Sequence, residues 1–146
     1  MAYDKTRQYS PADVKVIFGG YEITGFADGT FVGLEFGSDR FTTMVGADGS
    51  VVRTRSADET AKITVTLLQS SASNDVLNAF DAADFEGLTG ALPFILKDAN
   101  GNSLYTADKC WISKRPSVEF GKDLGSRAWE LSCDHIFAIT GSSNQL

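Results

Sequence analysis

The stretch Thr60–Leu68, which reads TAKITVTLL, alternates polar and apolar residues from Thr60 to Leu67. Successive side chains of a β-strand point to opposite faces of the sheet, so the apolar residues at the odd positions 61–67 share one face. The polar residues between them share the other face. The stretch therefore predicts a strand with one buried face, which is typical of an antiparallel sheet.

A hairpin and a further strand are predicted upstream of this stretch. Val14–Phe18 and Tyr21–Thr24 flank Gly19-Gly20, a pair that favours a tight turn. Phe31–Phe36 forms the next strand, whose even-numbered apolar residues face the core while Glu35 points to the opposite side.

A second hairpin lies between these strands and the alternating stretch. Phe41–Val45 and Val51–Arg55 flank Gly46–Ser50, in which Asp48-Gly49 is expected to supply the positive φ angles of a tight return. Its second strand is polar, which makes a place in the core unfavourable. We expect this hairpin to extend from the body of the protein.

One helix is predicted, with Ser73 as its N-cap and an end near Gly87. Asp75 falls in the first turn, where the helix dipole favours an acid. The apolar residues recur at helical spacing and predict a face that packs on a sheet. They are Val76, Leu77, Phe80 and Ala83.

Strands return after the helix. Pro93–Asp98 and Ser103–Thr106 flank Ala99–Asn102 as a hairpin, and Lys109–Lys114 and Arg127–Phe137 are the last strands. The residues expected on one face of the final strand are Trp129, Leu131, Cys133, His135 and Phe137.

This order of elements excludes a regular βαβ fold with a parallel sheet. It predicts a mainly β protein, a two-sheet sandwich or rolled barrel with one flanking α-helix. The length of 146 residues fits a single domain over residues 1–146, with residues 1–13 as a polar N-terminal arm.

The composition excludes several classes of protein. A hydrophobic content of 42% with 22% charged residues is that of a folded chain, and no apolar run is long enough to cross a bilayer. The first residues have no apolar segment of the signal-peptide kind, so we expect synthesis and use in the cytosol. A net charge of −6 disfavours a partner held through its phosphates and suits a surface that repels DNA.

The residues needed for catalysis or metal binding are sparse. His135 is the single histidine, and Cys110, Cys133 and His135 together lack the close-spaced pairs of a zinc site. Two reduced cysteines buried in strands are the expected state. No two glycines stand two positions apart, which excludes the G-x-G of a dinucleotide loop. We therefore predict no catalytic residues, no metal and no cofactor.

Four segments, taken in order, resemble a family of structural proteins of contractile-tailed bacteriophages and prophages, the tail tube proteins. They are Tyr9–Val14, Gly19–Gly29, Gly46–Arg53 and Ile63–Leu77. The resemblance covers about the first 80 residues, and the fold it implies is similar to that of the type VI secretion tube protein.

The resemblance also implies a function. Subunits of this kind form hexameric rings that stack into a hollow tube inside a contractile sheath. The implied partners are other copies of the chain and the sheath, terminator, baseplate and tape measure proteins, while genomic DNA passes without specific binding. The protein would be part of the virion tail, assembled in the host cytoplasm, with no membrane contact.

Within this hypothesis, two sets of residues are candidate sites. The self-assembly residues lie in the second hairpin and are Gly46, Asp48, Gly49, Arg53 and Arg55. The candidate acids of the tube lumen are Glu35 and Asp39. The alternative is a β-module that binds a small ligand or carbohydrate as a monomer, in a pocket built around Trp111 and Trp129.

Overall fold

A computed structural model describes residues 9–99 and 101–142. It confirms the predicted class: a mainly β protein with two sheets and, in the described part, one α-helix, α1. The strands are β1 Val14–Phe18, β2 Tyr21–Glu22, β3 Val32–Phe36, β4 Phe41–Val45, β5 Val51–Arg55, β6 Ala61–Leu68, β7 Leu92–Asp98, β8 Leu104–Lys114, β9 Ser126–Cys133 and β10 Ile136–Ile139. The helix α1 spans Ser73–Gly87, and a 3₁₀ turn at Pro11–Asp13 precedes β1.

Eight strands form one antiparallel sheet in the order β2-β1-β7-β8-β9-β6-β3, with β10 beside the first half of β8. The segment from Ile23 to Ala27 joins the two sides of this sheet. Ile23 N donates to Val16 O of β1, whereas Leu68 N of β6 donates to Gly25 O. Because one short segment reaches both β1 and β6, the sheet must roll up around its inner face.

The core fills the inside of the roll. The alternating stretch behaves as predicted, since Ala61, Ile63, Val65 and Leu67 of β6 are at most 4% exposed. A single cluster joins them to buried residues of the other strands and of α1. Its largest fully buried members include Phe18, Phe94, Ile23, Leu77 and Leu131.

The helix α1 crosses the end of the roll where β1 and β6 finish. Leu77 is fully buried, and the Phe80 ring meets the Phe18 ring edge-on at 5.4 Å between centroids. Gly19 turns the chain at φ +62, and a Cβ there would lie 2.8 Å from Leu92 Cδ1 and 3.2 Å from Phe80 Cζ. The close approach of α1 therefore requires glycine at this turn.

The predicted N-cap is wrong. Ser73 is the first helical residue, and Ala72 holds the cap position without a side-chain cap bond, while Ser71 Oγ accepts a 3.2 Å bond from Ser73 N. Ser73 is instead fully buried, and its Oγ accepts a 3.0 Å hydrogen bond from Thr24 N. The serine is used to fasten the helix to the closing segment rather than to satisfy the helix end.

Several predicted boundaries also differ. The strand Arg127–Phe137 is interrupted at Asp134-His135, so Trp129, Leu131 and Cys133 are buried while His135 and Phe137 are exposed. The two predicted strands between Ser103 and Lys114 are one long strand, β8, because its two halves pair with β10 and β9 in turn. Asn100, in the predicted turn, lies outside the described residues.

Candidate assembly surfaces

The titratable residues of the described segments do not form a metal-binding group. Over residues 9–99 and 101–142 no cluster of three His, Cys, Asp or Glu side chains is close enough to hold a metal ion. His135 Nδ1 lies 2.7 Å from Glu59 Oε2. The His135 side chain is 68% exposed and the Glu59 side chain is 50% exposed. This surface contact joins the break between β9 and β10 to the chain before β6.

Cys110 and Cys133 are direct partners on β8 and β9, and both are buried as free thiols. Burial raises the pKa of each thiol, and in Cys110 the neighbouring Cys133 raises it further. A thiol with a raised pKa is a poor nucleophile and a poor metal ligand. The pair therefore belongs to the core packing.

The two tryptophans do not line a common pocket. Trp129 is 4% exposed, and its Nε1 donates a 2.9 Å hydrogen bond to Asn74 Oδ1. An open pocket of about 730 Å³ borders it, and Trp129 is the one aromatic residue of that lining. Trp111 lies on the opposite face of the sheet, opposite Ser132 in the β8–β9 register.

The second hairpin, residues 41–55, forms the small sheet and is called the arm below. Its strands β4 and β5 pair only with each other among the described strands, and every residue of the arm is exposed. The arm leaves the body between β3 and β6, at the end of the roll that faces away from α1. It thus extends from the body, as the sequence predicts.

Polar contacts hold the base of the arm. Ser38 Oγ lies 3.0 Å from Ser56 Oγ, and Ser56 N donates to Arg40 O at 2.7 Å. Just below, Asp58 Oδ1 accepts bonds from the hydroxyl and backbone N–H of Thr60, which lower the pKa of the Asp58 carboxyl. These bonds give the arm a fixed base without burying any of its side chains.

The tip of the arm turns at Gly49, which has a φ of +88. The sequence predicts a positive φ at Asp48 as well, but Asp48 does not have one. Asp48 Oδ1 accepts bonds from Ser50 Oγ at 2.6 Å and from Ser50 N at 3.0 Å. The Ser50 hydroxyl is the main reason that the pKa of Asp48 is lowered. Gly46 N donates to Ser50 O and closes the turn.

The two faces of the arm differ in chemistry. Cross-strand partners share a face of the arm. One face carries both arginines and consists of Phe41, Thr43, Val45, Val51, Arg53 and Arg55. The other face is uncharged and consists of Thr42, Met44, Val52 and Thr54. The Arg53 guanidinium sits 4.3 Å from the centre of the Phe41 ring. Met44, Val45, Val51 and Val52 are 59% to 73% exposed, which is a large apolar area for an isolated hairpin.

The two candidate lumen acids are not adjacent in the fold. Glu35 lies in β3, exposed, directly opposite Lys62 of β6, on the sheet face away from the core. Asp39 is exposed in the link to the arm. The Lys62 ammonium is 3.1 Å from Glu130 Oε1 on β9, so Glu35, Lys62 and Glu130 place two acids and one base together on one outer face.

Two further exposed surfaces were not identified from the sequence. At the end of α1, Phe85 and Leu88 are 89% and 87% exposed. In the β8–β9 loop, residues 115–125, Val118, Phe120 and Leu124 are 60% to 77% exposed. The available signal was Phe85, which falls off the apolar stripe that contains Leu77 and Phe80.

No helix in the described part of the chain has both the length and the apolar character to traverse a bilayer.

Comparison with known proteins adds three findings. The family model described as bacteriophage PhiTE tail tube protein matches residues 12–141. The structural protein ORF10 of Pseudomonas phage KPP10 is 33% identical over 136 residues, which cover 88% of this chain and 79% of that protein.

Solved structures of similar fold come from contractile injection machines. The tube-terminating cap of an anti-feeding prophage has a TM-score of 0.55 at 9% identity and covers 96% of this chain and 98% of its own. The sheath/tube terminator of an extracellular contractile injection system, PVC, has a TM-score of 0.57 at 11% identity, over 91% and 97% of the two chains. A chain of the PVC sheath-tube complex has a TM-score of 0.56 at 9% identity, over 90% and 91%. At these identities the likeness is one of fold.

Proposed function

The chain belongs to the bacteriophage PhiTE tail tube protein family, and from that premise we propose that its copies form hexameric rings that stack into the DNA conduit of a contractile tail. As a member, it is a structural protein of the phage virion, whose relatives in fold include tube and terminator proteins. We propose that the whole chain acts as one domain and has no enzymatic activity, and that it assembles in the host cytoplasm.

The arm is the observation that carries the proposal. An isolated, fully exposed two-stranded hairpin is marginally stable in water, and this one also exposes several large apolar side chains. Its base is fixed by polar bonds, so the arm is presented in one direction. A surface of that kind is suited to a neighbour that covers it. In a stack of rings, each arm would meet a subunit of the adjacent ring, which supplies that neighbour.

Charge supports the same contact. The stretch 40–55 carries Arg40, Arg53 and Arg55 against a single acid, Asp48, in a chain whose net charge is −6. The remainder of the subunit is therefore strongly acidic, and an arm that reaches the next copy meets opposite charge. We propose that Gly46, Asp48 and Gly49 shape the tip and that the arginines pair with acids of that copy.

For the lumen we propose an acidic and polar wall. Duplex DNA carries a charge about every 1.7 Å along its axis, so a basic wall would bind it and retard its passage. Glu35 and Asp39 are the acids proposed to face the channel, and six-fold repetition would make a ring of each. DNA then passes without specific binding.

The proposed partners outside the tube are the sheath and terminator proteins, of which the similar solved structures offer examples, and the baseplate and tape measure proteins. The alternative, a small-ligand or carbohydrate module, requires a pocket lined by aromatic residues. The pocket beside Trp129 has one aromatic residue, and most of its other lining residues are polar or charged. No specific observation favours that alternative.

Electron microscopy of the purified chain in negative stain, with sedimentation velocity at physiological salt, tests the proposal. Rings or tubes are the expected result, and six-fold averages of end views would establish the ring size. A chain that stays monomeric at high concentration and binds an oligosaccharide or another small ligand would contradict the proposal.

A further inference from the structure

We propose that the C-terminal end of α1 in one copy docks into the basic pocket beside the β8–β9 loop of the next copy in the same ring. The inference rests on the proposed assembly function and names a contact within it. It joins two different patches of one chain, which we call the helix end (Asp84, Phe85, Glu86 and Leu88) and the basic pocket (Lys114, Arg115, Pro116, Val118, Arg127 and Trp129).

The helix end contains features that the isolated subunit does not need. Phe85 and Leu88 are the two most exposed large apolar side chains described in the chain, at 89% and 87%. Leu88 also has a φ of +55, a left-handed conformation that favours glycine and is unfavourable for leucine. An exposed leucine in an unfavourable conformation suggests that this residue is kept for a contact outside the subunit.

The charges of the helix end are also unfavourable in the single chain. Asp84 and Glu86 lie in the last turn, where the helix dipole is negative, and no basic residue occupies that turn. Asp84 Oδ1 accepts a 2.9 Å bond from Gly90 N, so it is partly stabilised. Glu86 is exposed and takes part in no ion pair among the described residues. Cations from another molecule would compensate this negative end.

The basic pocket has the complementary character. It has a volume of about 730 Å³, and Lys114, Arg115 and Arg127 border it with Asp75 as the one acid. None of these three cations makes a salt bridge within the described segments. Pro116, Val118 and the edge of Trp129 add apolar surface. An aromatic ring flanked by carboxylates, such as Phe85 between Asp84 and Glu86, suits this lining through apolar contact and cation–π attraction.

The contact must be between copies. Asn74, Asp75 and Asn78 at the start of α1 line the pocket, while Phe85 lies about 10 to 17 Å further along the axis of the same rigid helix at about 1.5 Å per residue. A chain therefore cannot fill its own pocket. Because the two patches differ, the contact is head-to-tail, and a contact of this type closes into a ring when its rotation permits.

Charge reversal and charge swap test the pairing. In Glu86→Lys the helix itself should be no less stable, because a cation suits its C-terminal end. Assembly should nevertheless require about tenfold more protein, since like charges would face each other across the contact. Arg115→Glu should have a similar effect. An equimolar mixture of Glu86→Lys and Arg115→Glu should recover assembly, because in an alternating ring every contact joins opposite charges, and the double variant carrying both changes should likewise recover to within about threefold of wild type. The measurements are sedimentation velocity and counts of rings in negative stain.

The control is Asp28→Lys, a reversal at an exposed turn residue far from both patches in sequence. Wild-type assembly is the expected result. If the wild-type chain forms no rings at all, the proposed function fails. If wild type forms rings and the two single reversals assemble like it, this inference alone fails. Failure of the double variant to recover, or equal loss in Asp28→Lys, would also overturn it. The inference would also be overturned if short duplex DNA bound wild-type subunits but not the Arg115→Glu variant, while the two proteins formed rings equally well.

Discussion

The indole Nε1 of Trp129 donates a 2.9 Å hydrogen bond to Oδ1 of Asn74, and this bond joins strand β9 to the first turn of α1. The amide nitrogen of Asn74 donates in turn to Leu68 O at 2.9 Å and to Ser71 O at 3.1 Å. Asn74 is 6% exposed, so one buried amide connects the helix with both β6 and β9. The position of α1 on the end of the roll depends on it.

Replacement of Asn74 by alanine should therefore lower the free energy of unfolding by about 2 to 3 kcal/mol, because it leaves the buried Trp129 indole N–H without its partner and removes the amide bond to Leu68 O. Urea denaturation followed by tryptophan fluorescence measures the change. Asn78→Ala, at an exposed position of the same helix, is the control and should stay within about 0.5 kcal/mol of wild type. Equal values for the two variants would contradict the role of Asn74.

Two phenylalanines of α1 should separate stability from assembly. Phe80 packs edge-on against Phe18, so Phe80→Ala should destabilise the subunit by about 3 kcal/mol. Phe85 is 89% exposed, so Phe85→Ala should leave the urea midpoint almost unchanged yet impair ring formation. A stable Phe80→Ala variant would contradict the packing of the helix, and normal rings from Phe85→Ala would contradict its role in the contact.

The sequence predicts those parts of this protein that local pattern determines. Strict alternation in β6 is sufficient to assign its buried face, because a one-residue shift would expose the whole set. The arm is predicted equally well, since its turn residues and its polar second strand are close together in the sequence. Ser73 is different. Ser71, Ser73 and Asn74 are all good capping residues, and the partner that decides the role of Ser73 is Thr24, 49 positions away.

The candidate surfaces follow the same division. Exposed acids such as Glu35 can be assigned to a strand face from alternation. The contact between the helix end and the basic pocket could not be predicted from the sequence. The pocket residues Lys114, Arg127 and Asn78 come together only when β8, β9 and α1 are packed. The break at Asp134-His135 was missed for a related reason: alternation continues through it, while pairing with β6 ends at Cys133 and pairing with β8 resumes at Ile136.

The buried thiols predict a loss of stability at alkaline pH. Burial raises the pKa of Cys110 and Cys133, so above the ordinary thiol pKa of about 8.5 the unfolded chain loses protons that the folded chain retains. Their contribution is fully present below that pH. As pH rises from about 9 towards the folded-state values, the free energy of unfolding should fall by at most about 1.4 kcal/mol per pH unit for each thiol, beyond the change from other groups.

Urea melts between about pH 7 and 10.5 measure this slope. The double variant Cys110→Ala/Cys133→Ala is the comparison: it should be less stable at neutral pH because of the lost volume, but its stability should depend less on pH. Parallel curves for the two proteins would contradict the assignment. Rapid labelling of the native thiols by a disulfide reagent at pH 8 would also contradict it.

The arm should act in growth of the tube and not in folding. Arg53→Glu/Arg55→Glu reverses two exposed charges on one face of the arm, so circular dichroism and the urea midpoint should match wild type. Tube length in electron micrographs should fall sharply, because the reversed face now meets an acidic neighbour. Lys97→Glu/Lys109→Glu, two exposed lysines of the large sheet, is the matched control. Tubes of normal length from the arm variant would refute the proposed contact.

The sign of the lumen gives the last prediction. Glu35 shares an outer sheet face with Lys62 and Glu130, and the single lysine is already paired with Glu130, which leaves the Glu35 carboxylate as surplus negative charge. If this face and Asp39 line the channel, wild-type tubes should not retain duplex DNA at physiological salt. Glu35→Lys/Asp39→Lys should assemble and retain it, with an affinity that falls steeply as salt rises because bound phosphates release counterions. Asp28→Lys, which reverses an exposed acid of the turn before β3, should behave as wild type. Co-sedimentation of tubes with labelled duplex across a salt series measures all three proteins. Retention of DNA by wild-type tubes would contradict the conduit, whereas an unchanged double variant would show only that other residues line it.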